Sequence, residues 1–256
     1  MQGRRNSIAR ARAIYDGRLD PRGTRKMRGH LEDQAADSSA LLATSTLCDY
    51  LNRWNNAGDA EIAKAEAAVS HVLSVNPRHY LGHYAKGFLH RTRGEHDQAL
   101  AEFTETIKHS PRFARAVAQR GNELIYLGRP KEGIAEVLKA VAMAPKSPSL
   151  GMFQWIIGRT RFVMGEDAEA IDWLQKSVKS WPKLWYNRAY LIAAYAMSGK
   201  TGAAKRALKA FDKRFPGWTL ARVVDEERAN PNNNPFMVNG RQRLHDALLS
   251  AGMKAR

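Results

Sequence analysis

An all-α solenoid of about five helix-turn-helix units, closed by a C-terminal capping helix, is the fold class predicted by this 256-residue sequence. Three features predict it. Pro77, Pro111, Pro145, Pro182 and Pro216 recur at intervals of 34, 34, 37 and 34 residues. Twelve residues before each proline stands a small residue, Ala65, Ala99, Gly133, Ala170 or Ala204, which lets two helices approach closely. Gly58, Gly94, Gly128, Gly165 and Gly199 each end an apolar periodic segment, where glycine supplies the left-handed conformation that closes a helix. Self-similarity at such a period dictates the architecture before local propensity is consulted.

The elements follow in order. Residues 1–37 form a basic tail, too poor in large apolar groups to pack, expected to be disordered apart from a short fraying helix around Ser7 to Tyr15. Residues 38–216 form the solenoid. Each unit is a helix of about four turns, a glycine turn, a second helix, and a proline that breaks the chain before the next unit. The middle units also place Gly87, Gly121 and Gly158 twelve residues before their small residue, whereas the outer units carry Arg53 and Ile192 there. Residues 217–256 are a capping segment. Pro231, Asn232 to Asn234 and Pro235 interrupt it, and Leu244, Ala247, Leu248 and Ala251 then mark one face of a helix ended by Gly252. Terminal repeats need such a cap to cover the last apolar face.

A unit with Gly-x-x-aromatic, then Ala-x-x-x-Phe, then Pro resembles the tetratricopeptide repeat, best in the unit with Gly87, Ala99, Phe103 and Pro111. The resemblance implies a right-handed superhelix. His83 and His90 stand where that family has large aromatics, and Val69, Val137, Leu174 and Leu208 replace the phenylalanine in the other units. Asn52-Arg53-Trp54, Gly128-Arg129-Pro130 and the closing Leu-x-x-Ala-Gly at 248–252 further resemble the C-terminal repeat regions of bacterial class III nucleotide cyclases and winged-helix transcription regulators. That likeness implies a regulatory, signalling half of a larger system.

Composition narrows the function. With 44% apolar residues, a core can be buried, and no stretch approaches the roughly 20 apolar residues of a membrane span. The first residues carry arginines and no apolar block for secretion, so a cytoplasmic location is expected. The net charge is +16, with +7 in residues 1–30 and the remaining +9 expected to be spread thinly. The single cysteine, Cys48, is expected to be a small buried apolar group.

The resemblance implies that the first helix of each repeat lines a concave groove that receives a partner's peptide or helix. Tyr50 and Trp54, Tyr84 and Phe88, Trp155 and Arg159, and Tyr186 and Tyr190 are four apart, hence on one face of their helices, with Arg91, Arg115, Gln119, Asn122, Tyr126 and Phe162 between them. Aromatics interleaved with arginine favour binding surfaces through area, cation-π and carboxylate contacts. The lysine and asparagine set by which chaperone-binding members grip a terminal carboxylate is missing, with only Asn122 in place.

No catalysis and no cofactor are expected. Ser198-Gly199-Lys200-Thr201 looks like the end of a phosphate loop but falls between two helices. His79 and His83 have the spacing of two metal ligands without the third or fourth that zinc requires, so no metal is expected. Glu95, Asp97, Glu166, Asp167 and Glu169 sit at helix starts, where the macrodipole favours acids. In the tail, Arg4, Arg5, Arg10, Arg12, Arg25, Lys26 and Arg28 offer weak, salt-sensitive contact with nucleic acid or an anionic surface.

Overall fold

The computed structural model describes residues 21–52, 58–227 and 232–256, with side chains from residue 34 onward, Asn52 excepted. Among the described residues the chain forms twelve α-helices and no strand: α1 (Pro21–Asn52), α2 (Asp59–Val75), α3 (Tyr80–Thr92), α4 (His96–His109), α5 (Ala114–Tyr126), α6 (Pro130–Met143), α7 (Leu150–Val163), α8 (Asp167–Ser180), α9 (Trp185–Met197), α10 (Thr201–Arg214), α11 (Leu220–Glu227) and α12 (Pro235–Ser250). Successive helices pair α1 with α2 through α9 with α10, and each pair stacks on the next, which makes the chain an α-solenoid. α1 starts at Pro21, so residues 21–37, expected as tail, continue into the first repeat helix, while residues 1–20 lie outside the described residues.

The repeat landmarks act as local physics requires. Asn76, Ser110, Ala144, Trp181 and Phe215, each directly before a repeat proline, take φ between −128° and −142°. A following proline disfavours the helical region at these positions. Gly94, Gly128, Gly165 and Gly199 have φ between 72° and 81°. Each closes its helix with the same pair of bonds, for instance Gly94 N–H to Arg91 O and Glu95 N–H to His90 O. Gly58 differs from expectation: with φ −123° it is the N-cap of α2, and its N–H donates to Glu61 Oε2 at 3.1 Å. Residues 53–57 before it lie outside the described residues.

The small residues mark where paired helices cross. A Cβ added at Gly121 would stand 2.7 Å from the Gly133 carbonyl oxygen, and one at Gly158 would stand 2.7 Å from Leu174 Cγ. Ala99 is fully buried beside Phe103 in the α3/α4 core. Ala99→Phe is therefore expected to cost at least about 1–3 kcal/mol, since overpacking forces backbone shifts. Shared interfaces carry the damage into α5 and α6, so hydrogen exchange there should accelerate too. Unchanged melting would refute this register.

The cap is an extra helix laid across the solenoid's end. α12 packs on α9 and α7, with Leu244, Ala247 and Leu248 fully buried and Gly240 so close to Val163 that a Cβ would lie 2.6 Å from Cγ2. Arg243 donates to both Asp167 oxygens at 2.9 and 2.7 Å and to Phe162 O at 2.8 Å, tying the cap to the α7/α8 turn.

His79, His83 and His90 are engaged within the fold. His79 Nδ1 accepts the Gly82 N–H at the start of α3, His90 contacts Glu95, and no cluster of three metal-ligating side chains forms among the described residues. His83 bonds Glu102 Oε2 at 2.7 Å through Nδ1 and the Pro77 carbonyl at 3.0 Å through Nε2. Two acceptors suit the imidazolium, which alone donates from both nitrogens. The Glu102 hydrogen bond, helped by Pro77 O and opposed by burial, raises the His83 pKa above its ordinary value. Its stabilisation is thus full below about pH 6.5, the unfolded value, and is lost as pH rises through the folded pKa. His83→Gln should flatten that part of the melting temperature profile between pH 6 and 9.

Candidate binding site on the concave face

The odd-numbered helices α1, α3, α5, α7 and α9 line one side of the solenoid, and between them lies a cavity of about 450 Å³. Leu41, Ser45 and Cys48 come to it from α1, Tyr84, Phe88 and Arg91 from α3, Arg115, Gln119, Asn122 and Tyr126 from α5, Trp155 from α7 and Tyr186 from α9. A smaller adjoining pocket is lined by Tyr126, Trp155, Arg159, Tyr186 and Tyr190 together with Leu51, Trp185, Met237, Arg241 and two carboxylates, Glu226 and Glu227. The residues expected to share a groove are thereby largely brought together.

Three are not. Phe162 is fully buried in the core between α7 and α9, its ring edge-on to Tyr190 at 5.6 Å. Tyr50 packs on the α1/α3 core. Trp54, like Arg4, Arg5, Arg10 and Arg12, lies outside the described residues; Arg25, Lys26 and Arg28 lie in the part of α1 described by backbone only.

The floor of the concavity is a buried polar network. Arg91 ion-pairs with Glu123 and donates to Gln119 Oε1 at 2.7 Å, with its guanidinium 4.8 Å from the Phe88 ring centre. Glu123, fully buried, takes a second bond from His96 Nδ1 at 2.8 Å, and His96 Nε2 meets the Asn232 amide at 3.0 Å. Asn232 also donates to the Tyr126 carbonyl at 3.1 Å, so the segment before α12 is stitched to the ends of α4 and α5. Arg159 donates to Asn122 Oδ1 at 2.7 Å and Tyr126 Oη at 3.2 Å while lying 4.7 Å over the Trp155 ring. Burial pushes the Tyr126 phenol up, but Arg159 and Arg91 outweigh it and hold its pKa below the usual value.

Sequence reasoning missed Glu123, His96 and Asn232. Glu123 had a signal: α5 offers Ala114, Val117, Ala118, Gly121 and Ile125 around its circumference, so a polar residue among them is buried and needs a partner. Asn232 had none, because it reaches His96 across 136 residues.

Electrostatically the large cavity is one-sided. Its lining includes Arg91 and Arg115, the latter 5.5 Å from the Tyr84 ring centre, and no carboxylate among the described residues. Burial drives the Cys48 pKa up to about 11, which leaves a thiol rather than a nucleophilic thiolate. The large cavity can hold an apolar, aromatic or acidic segment.

Helices paired across glycine-closed turns, each pair stacked on the next, define a helical-repeat fold, an α-solenoid. Among solved structures the chain is similar to PilF of Pseudomonas aeruginosa, with 18% identity, TM-score 0.62, and 86% of this chain and 90% of that one covered. It is also similar to PilW, described as a widely conserved type IV pilus biogenesis factor (18%, TM-score 0.61, 81% and 90%), and to YrrB, described as a TPR protein with an unusual peptide-binding site (17%, TM-score 0.50, 72% and 90%). At these identities the likeness is one of fold. No family model matches the chain, and no curated protein matches it. Among the described residues no helix is long and apolar enough to cross a membrane.

Proposed function

We propose that the protein is a non-enzymatic scaffold that holds a peptide or helix of another protein in its concave groove. The observation that carries this reading is the cavity itself: five helices converge on aromatic and arginine side chains with no carboxylate among them. The favoured segment is therefore acidic and apolar, its carboxylates meeting Arg115 and its apolar groups meeting Trp155 and Tyr186. A rigid superhelix loses little ordering entropy on binding.

The buried state of Tyr84 and Arg159 makes them poor probes, because their loss would disturb folding. Leu41 is 46% exposed and Arg115 is half-buried, so Leu41→Asp with Arg115→Glu alters the groove without opening the core. In a nuclease-treated pull-down, the double variant should lose the proteins that the wild type retains. An unchanged set of partners would overturn groove binding.

The reading as a regulatory half beside a nucleotide cyclase or transcription regulator predicts that the retained protein is one of those. Its sequence cues have roles in the fold: Gly128 closes α5, and Leu248 to Gly252 close α12. Contact with nucleic acid through the tail predicts instead that partners disappear with nuclease treatment.

A further inference from the structure

The excess positive charge is not spread over the repeats. Residues 58–175 hold fifteen Lys and Arg against fourteen Asp and Glu, whereas residues 176–222 hold eleven against one, Asp212. In the first region cations meet acids, as in Lys86–Glu102, Arg120–Glu136, Arg129–Glu132 and Arg161–Glu166. In the second, among the described residues, Arg222 alone has a carboxylate partner, Glu226, and Asp212 pairs with none of the cations.

These cations form a tract. Lys205, Lys209 and Lys213 recur every four residues on α10, a stripe with about 6 Å between successive groups. Lys200 precedes it, Arg214 ends it, and all five are exposed. At its end the tract turns onto the start of α9, where Arg188 lies close enough to Arg214 that burial and this like charge lower its pKa. Lys183 is exposed beside it. Half-buried tryptophans stand at the same end, Trp185 packed at 4.9 Å on Trp218, and Arg222 4.7 Å over Trp218. A tract of like charges without counter-charges costs stability, so it calls for an anionic partner.

We propose that the basic tract along α10 and over the start of α9 is a docking surface for single-stranded nucleic acid. Phosphates lie along Lys205, Lys209, Lys213 and Arg214, and bases stack at the Trp185 and Trp218 end, the combination by which single strands are held without sequence choice. A membrane surface fits less well: Met197, 45% exposed, is the one large exposed apolar side chain of residues 176–222, too little to insert. The surface meets the smaller pocket at Trp185, but Lys205, Lys209, Lys213, Arg188 and Arg214 line neither pocket, so variants at these cations test it independently of groove binding.

The test is anisotropy of fluorescein-labelled dT20 with the full chain, from 50 to 200 mM salt. Wild type should bind at 50 mM. Lys205→Glu/Lys209→Glu/Lys213→Glu should weaken binding more than tenfold and reduce the slope of log affinity against log salt by about 2, from about 0.7 per phosphate contact. Arg188→Gln/Arg214→Gln should also weaken it, and the triple Lys→Arg variant should not. Removing repulsion should leave melting of the Glu variant unchanged or higher, which separates lost docking from lost folding. The proposal fails if wild type does not bind dT20 at 50 mM, if the Glu variant binds as well, or if Arg4→Gln/Arg5→Gln/Arg10→Gln/Arg12→Gln alone abolishes binding. Binding to vesicles with 30% phosphatidylserine but not to dT20 would assign the tract to a membrane and overturn it as well.

Discussion

Glu123→Ala is expected to destabilise the protein by about 3–5 kcal/mol, because it strips the buried Arg91 of its counter-charge. Glu123 is fully buried and Arg91 is 5% exposed, so water cannot take over for the lost carboxylate. The same change leaves His96 without its acceptor and loosens the Asn232 contact that ties the cap segment to α5. For a domain of this size the melting temperature should fall by roughly 6–20 °C. Replacing both partners, Arg91→Met with Glu123→Leu, should recover most of the loss, since an apolar pair of similar volume is often no worse than a buried ion pair. If Glu123→Ala melts like wild type, the network is not a determinant of stability.

Phe162→Ala is expected to cost about 3–5 kcal/mol, the range for deleting a fully buried phenylalanine. Its ring packs edge-on to Tyr190 and lies 4.3 Å beneath the Arg243 guanidinium, so it joins α7, α9 and α12 at one point. The cavity should therefore loosen the cap first, and amide exchange in α12 should rise more than in α3 or α4. A variant that kept its stability and lost only partner binding would return Phe162 to the groove, between the four-apart pairs.

The periodic part of the fold was legible because each landmark has a local cause. A residue before proline avoids the helical region, glycine closes a helix in the left-handed region, and a small residue permits a close crossing; none of these depends on distant chain. The helix faces were legible for the same reason, which is how Tyr84, Phe88, Arg91, Trp155 and Tyr186 were placed together. What failed was everything set by distant packing. Phe162 shares its helix with Trp155 and Arg159 but is covered by α12, which arrives about 80 residues later. Arginine on a groove face looked like a hand held out to a partner, yet Arg91 and Arg159 are committed to Glu123, Gln119, Asn122 and Tyr126, leaving Arg115 as the accessible cation. The charge of the last repeats was in the sequence all along and was concealed by averaging over 226 residues.

Groove binding is tested most directly by site-specific photocrosslinking in cells. A photoreactive phenylalanine analogue at Ser45, exposed on the cavity wall, is compared with one at Lys139, exposed on α6. The account predicts a discrete adduct from Ser45 that vanishes with Arg115→Glu, and none from Lys139. Adducts from Lys139 alone, or a Ser45 adduct indifferent to Arg115→Glu, would contradict it.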